Sequence, residues 1–138
     1  MAIITLNLEK KPFGFIATDE FGVEIKMDNI GTQNPNFGAS PMQMLLMALA
    51  GCASIDMVMI LDKQRQNYTS YQVKVEGVKE KQNDFSLWTK INIEFIIGGD
   101  VDEDKVNRAA QLSIDKYCSV AETLRMAGAT IEYTVSIK

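Results

Sequence analysis

Histidine is absent from these 138 residues. Its absence removes imidazole metal sites, Ser-His-Asp triads and Cys-His dyads from consideration. Cysteine is nearly absent too: Cys52 and Cys118 stand 118 − 52 = 66 positions apart. Two thiols so spaced do not resemble the dense disulfide framework of a secreted mini-protein. Basic charge is in deficit, with 14 Lys and Arg against 18 Asp and Glu and a net charge of −4. A phosphate-tracking nucleic-acid binder, or a protein held on anionic lipid, needs a basic face, so neither partner is expected. The opening MAIITLNLEKK has no basic region ahead of an apolar core and no small-residue cleavage site, so no secretory leader is read there. A cytoplasmic protein with reduced thiols is the expectation.

What remains is ordinary globular material, 46% apolar and 23% charged, which argues against disorder. The length suits a single domain over residues 1–138, large enough to bury a core without a disulfide or metal staple. No cofactor or metal is implied.

Residues 1–28 alternate as strands do. Ile4, Leu6 and Leu8 share one face, Phe13 and Phe15 follow Pro12, and Phe21, Val23, Ile25 and Met27 alternate with small or polar neighbours. Short connections make this an antiparallel meander. Residues 29–40 are rich in Gly, Asn and Pro and read as a loop.

From Ser40 to about Gln64 the pattern changes to a helix. Ser40 suits the N-cap, Pro41 the first helical position, and Gln43 completes an S-x-x-Q capping box. Met44 to Ile55 carries no charge. A helix apolar on nearly every side must be buried, and Asp56 and Asp62 interrupt it too soon for a convincing membrane span. In a chain of this size that implies a central helix wrapped by sheet or by a partner subunit. Met42, Met44, Met47, Met57 and Met59 read as adaptable core rather than a copper site.

Tyr71, Val73 and Val75 begin a strand with a bulge expected at Gly77, and KQND at 81–84 makes a turn. Phe85 to Ile97 is a long period-2 run closed by Gly98-Gly99. Asp102 is placed to cap a second helix whose inward stripe is Val106, Ala109, Ala110, Ser113 and Tyr117. That helix is expected to break at Cys118 and restart from a Ser119-to-Glu122 capping box, with Gly128 as its stop. Ile131, Tyr133, Val135 and Ile137 form the last strand. The order is α+β: meander, long buried central helix, hairpin, two further helices and a C-terminal strand.

Two motifs now stand out. SPMQMLLMALAGCASIDMV (40–58) is a proline-initiated apolar helix with a cysteine eleven positions after the proline, and KYCSVAETL (116–124) sets a cysteine before a new helical turn. Together, in this order, they resemble the OsmC/Ohr superfamily, and the likeness in element order extends over essentially the whole chain. The resemblance implies an OsmC-like fold and an intertwined homodimer with active sites at the subunit interface. It also implies a thiol peroxidase chemistry. Cys52 would be the peroxidatic cysteine attacking an organic hydroperoxide, Cys118 the resolving cysteine, and a cellular dithiol the reductant. A sulfenate needs a neighbouring thiol to keep it from irreversible oxidation, and the chain has only one other.

The sequence departs from the family pattern in two places. Peroxidatic relatives supply an N-terminal arginine and a glutamate just after the helix-starting proline. Here no arginine precedes Arg65, and Met42 and Gln43 follow Pro41. Gln43 is the candidate substrate-binding residue in place of the acid, and the candidate replacement cations are Lys10, Lys11 and Lys26, or Arg65, Arg108 and Arg125 supplied by a partner subunit. Asp56, one turn after Cys52, would oppose formation of its thiolate, whereas the helix starting at Ser119 favours that of Cys118. Two alternatives therefore stand beside a hydroperoxide reductase: a non-catalytic dimer binding a small apolar ligand, and a thiol redox sensor.

Overall fold

The computed structural model describes residues 1–29 and 37–138, which fall into two compact units, Met1–Leu45 and Leu46–Lys138. Most of the loop read at 29–40 therefore lies outside the described residues. In the first unit the alternating segments form β1 (Thr5–Lys10), β2 (Gly14–Thr18) and β3 (Glu24–Met27), an antiparallel sheet in that order. Asp19 closes the second turn, its carboxylate accepting the N–H groups of Phe21 and Val23 at 2.9 and 3.0 Å. Ile4, Leu6, Leu8, Phe21, Val23 and Ile25 remain exposed on this unit.

Helix α1 (Pro41–Lys63) starts where expected, its first bond running from the Met44 N–H to the Ser40 carbonyl. The reciprocal side-chain bond of a capping box is not made: Gln43 is exposed, and its side chain has no hydrogen-bond partner among the described residues. By length and composition alone α1 could cross a membrane. One stripe of it is instead the spine of a core, with Leu49, Ala53, Met57 and Leu61 at i, i+4 spacing and no exposed surface. Among the described residues of α1 that stripe alone is fully buried, with Leu46, Cys52 and Ile60 half-buried beside it. Leu45, Met47, Ile55 and Met59 stay exposed, so of the last four methionines named above only Met57 is fully buried.

The second unit is built on β4 (Asn67–Gln82), β5 (Phe85–Asp100) and β6 (Thr130–Ile137), with β5 in the centre. Asn83, in the left-handed region at φ 57°, turns the β4–β5 hairpin. Period-2 alternation puts Ile91, Ile93, Phe95 and Ile97 on one face, and register makes rows of them: Val75–Ile93–Tyr133 and Val73–Phe95–Val135. The bulge falls after Val78 rather than at Gly77. Gly77 keeps regular register because it serves packing instead. A Cβ there would lie 2.9 Å from the Trp88 ring and 3.0 Å from Leu46.

β6 runs parallel to β5, which requires a crossover, and the two remaining helices supply it. The Asp102 carboxylate caps α2 (Glu103–Leu112) by accepting the N–H groups of Asp104 and Lys105. A π-helical turn, Ser113–Tyr117, follows, and then α3 (Ser119–Met126), after which Gly128 at φ 109° ends the helix. The expected inward stripe is corrected at its last member. Val106, Ala109, Ala110 and Ser113 are buried, but Tyr117 is 51% exposed. The π-turn adds a residue to the helical repeat, so the inward phase passes to Ile114 and Cys118.

Candidate active site

Both sulfurs belong to the second unit and border one core. Cys118 is 3% exposed within it, and Cys52, on the flank of the α1 stripe, packs against it half-buried. The two are free thiols, and Cys52 is near enough to Cys118 to help raise its pKa. Two residues 66 positions apart in the sequence thus border the same core.

Cys118 occupies the position expected of Ser119: it is itself the N-cap of α3. Its backbone is extended (φ −76°, ψ 103°) and its Sγ accepts the Ala121 N–H at 3.4 Å. A serine-type cap is thereby made by sulfur, and the Ser119-to-Glu122 box does not form; Glu122 pairs with Arg125 at 3.0 Å. Those helix-terminal N–H groups, from Ala121 and Val120, do favour the thiolate, as expected. Burial outweighs them. Together with the neighbouring Cys52 it pushes the Cys118 thiol up to about 11. Cys118 is held as the neutral thiol.

A backbone scaffold fixes Cys118. Its N–H donates to the Ser113 carbonyl at 2.7 Å, and the buried Ser113 hydroxyl donates to the Ala53 carbonyl at 2.9 Å. Ala53 directly follows Cys52. The sequence placed Ser113 in the inward stripe without assigning it a role; a hydroxyl at a core-facing position was the available signal.

Within the chain, three of the candidate cations have partners of their own. Arg125 divides its guanidinium between Glu122 and the Ile114 carbonyl, and Arg108 donates to Gln111. Lys26 lies over the Phe37 ring at 5.4 Å, and Lys10, Lys11 and Arg65 are exposed. Among the described residues, the groups that shift the Cys118 thiol are Cys52, Ala121 and Val120. One helical turn from Cys52, Asp56 has a buried Oδ2 with no partner among the described residues, and burial raises its carboxyl toward the neutral form. Asp56 also lines a cleft of about 400 Å³ with Met59, Ile60, Lys63, Leu112 and Tyr117. That cleft is mostly apolar, with charge at Asp56 and Lys63.

Two free thiols, one buried and one half-buried, on a helix-backed sheet define a class, and comparison with known proteins names it. Residues 31–134 match the family model described as OsmC-like protein. The chain is 42% identical over 115 residues to Protein YhfA of Escherichia coli K12, covering 82% of each chain. The chain belongs to the OsmC-like family. An OsmC-like protein from Mycoplasma pneumoniae has the same fold, with TM-score 0.82 and 17% identity over 99% of this chain and 96% of that one. So has an organic hydroperoxide resistance protein, OsmC, from Legionella pneumophila, at TM-score 0.73 and 11% identity over 99% and 96%.

Proposed function

We propose that the protein is a homodimeric, thiol-dependent reductase of organic hydroperoxides, with Cys52 peroxidatic and Cys118 resolving. The observation that carries this reading is the meeting of the only two thiols beside one core. A fold-level likeness to a hydroperoxide resistance protein agrees with it. In the first step the Cys52 thiolate attacks the outer peroxide oxygen. The O–O bond breaks, an S–O bond forms, and the departing alkoxide takes a proton to become an alcohol. Cys118 then attacks the sulfenic sulfur. The S–S bond forms and hydroxide leaves, combining with the Cys118 proton as water. A cellular dithiol returns the two electrons. The cleft lined by Met59, Ile60 and Leu112 suits an apolar substrate tail.

Dimerisation is supported by what one chain leaves bare. Met47, Ile55 and Met59 on α1, and separately Leu6, Leu8 and Ile25 on the first sheet, are apolar surface that a second copy would cover. The alternative, a non-catalytic dimer for a small apolar ligand, draws support from the sequence, in which Gln43 stands where the acid would be and no arginine precedes Arg65.

Reduced protein incubated with cumene hydroperoxide decides between them. Loss of two thiols per chain and formation of cumyl alcohol are expected, and Cys52→Ser should abolish both. Thiols that survive excess hydroperoxide would establish the binding protein instead.

A further inference from the structure

We infer that Ser113 is a positioning residue for the thiol pair, the pin that holds the π-turn so that Cys118 is turned inward to Cys52. The inference rests on the two cysteines acting as a redox pair. A regular continuation of α2 would present Tyr117 to the core. The extra residue of the π-turn exposes Tyr117 and buries Cys118 instead. Such a turn is a poorer hydrogen-bonding geometry than the α-helix on either side, so something else must hold it.

The bonds that do so come from three directions. The Ser113 hydroxyl reaches the Ala53 carbonyl on α1, the Arg125 guanidinium on α3 reaches the Ile114 carbonyl at 2.9 Å, and the Tyr133 hydroxyl on β6 reaches the Asp115 carboxylate at 3.2 Å. Ser113 alone faces the redox site. Its hydroxyl ties it to the residue after Cys52, and its carbonyl accepts the Cys118 N–H. It also has no exposed surface. Alanine would fill that space without a hydroxyl to desolvate. What serine adds is a fixed position of the turn along α1, and so a fixed approach of one sulfur to the other.

Close approach of two thiols is measured by how readily they bridge. The protein is equilibrated with reduced and oxidised glutathione. Two electrons and two thiol protons pass to oxidised glutathione, leaving the Cys52–Cys118 disulfide and two glutathione thiols. Ser113→Ala is expected to lower that equilibrium constant about tenfold or more, the scale of one lost buried hydrogen bond, with helix content retained. An unchanged constant overturns the inference. Affinity for phenylarsine oxide, which needs both sulfurs on one arsenic and no redox step, is measured in parallel and should fall with it. Wild-type protein that forms no disulfide would refute the redox pair. The arsenical would then judge Ser113 alone: weaker binding by the variant upholds the positioning, equal binding refutes it. Should Ser113→Ala fail to fold, Arg125→Gln loosens the same turn from α3 and is expected to move both readouts in the same direction. No change in either would refute the pinning role of the turn.

Discussion

The Cys118 sulfur accepts the Ala121 N–H at 3.4 Å, so the second thiol of the pair is also the N-cap of α3. Its replacements should then differ in stability before chemistry is considered. Serine is the better cap, and Cys118→Ser should be close to neutral. Cys118→Ala, which leaves the N–H bare and a small void, should cost about 1–2 kcal/mol. Urea unfolding of both variants checks the order. Equal losses would show that the sulfur contributes no cap.

Much of this architecture was legible in residue patterns. Alternation from Ile91 to Ile97 gave the central strand its buried face, although the same pattern at Phe85 lies on exposed surface, and Asp102 with two acids after it announced α2. Two things were not legible. The π-turn is a slip of one residue in phase, which leaves no mark in composition; Tyr117 is as suitable for a core as Cys118. The parallel pairing of β6 was also hidden, because alternation specifies a face and not a direction. The meeting of Cys52 and Cys118 was implied by likeness to a family and not by their separation. Its structural causes, Ser113 and the turn, came only with the fold.

The Gly77 position tests the packing of the hairpin on α1. A methyl group there would stand 2.9 Å from the Trp88 ring and 3.0 Å from Leu46, so both side chains must move. Gly77→Ala should destabilise by about 1–3 kcal/mol despite the better strand propensity of alanine. A lowered urea midpoint at unchanged slope is the expected result. A midpoint equal to wild type would mean the two side chains relax freely.

The proposed dimer makes a sharper demand on α1. Ile55 is 65% exposed within one chain and makes no essential core contact there. Ile55→Glu should therefore leave the monomer's own core intact and break association, since a carboxylate at an apolar interface is costly to desolvate. Sedimentation should show a dimer for wild type and a shift to monomer for the variant at micromolar concentration. A wild-type monomer under those conditions would end the dimer proposal.

Stability at high pH should report Cys118 directly. Its folded thiol is pushed up to about 11 from 9.0, so folding favours the neutral form. The sign follows: stability from this group is fully present below the unfolded value and is lost as pH rises through the interval from 9.0 to about 11. Tyr71, raised to about 12 by burial, weakens the fold in the same direction at the upper end. Cys118→Ser separates the two, because it retains Tyr71. Wild type should lose more stability than the variant between pH 8 and pH 11, measured by urea unfolding. Parallel losses would mean that burial does not hold this thiol neutral.

The same protonation should control the chemistry proposed for the pair. Closure of the disulfide requires Cys118 to act as nucleophile, and thiolate is the reactive form. With the thiol at about 11, pH 7 lies 11 − 7 = 4 units below, so about one molecule in ten thousand carries it as thiolate. Closure should be slow at neutral pH and accelerate about tenfold per unit as pH rises toward that value. A Cys52 sulfenate would consequently persist after a single equivalent of hydroperoxide. Dimedone, which alkylates sulfenic acids, should label Cys52 in wild type at pH 7. Labelling should fall at pH 9, where closure competes, and Cys118→Ser should be labelled equally at both. With excess hydroperoxide that variant should instead pass to sulfinic acid, visible by mass spectrometry. Closure too fast for dimedone at pH 7 would show that Cys118 sheds its proton within the reaction, handing it to the departing hydroxide as the S–S bond forms.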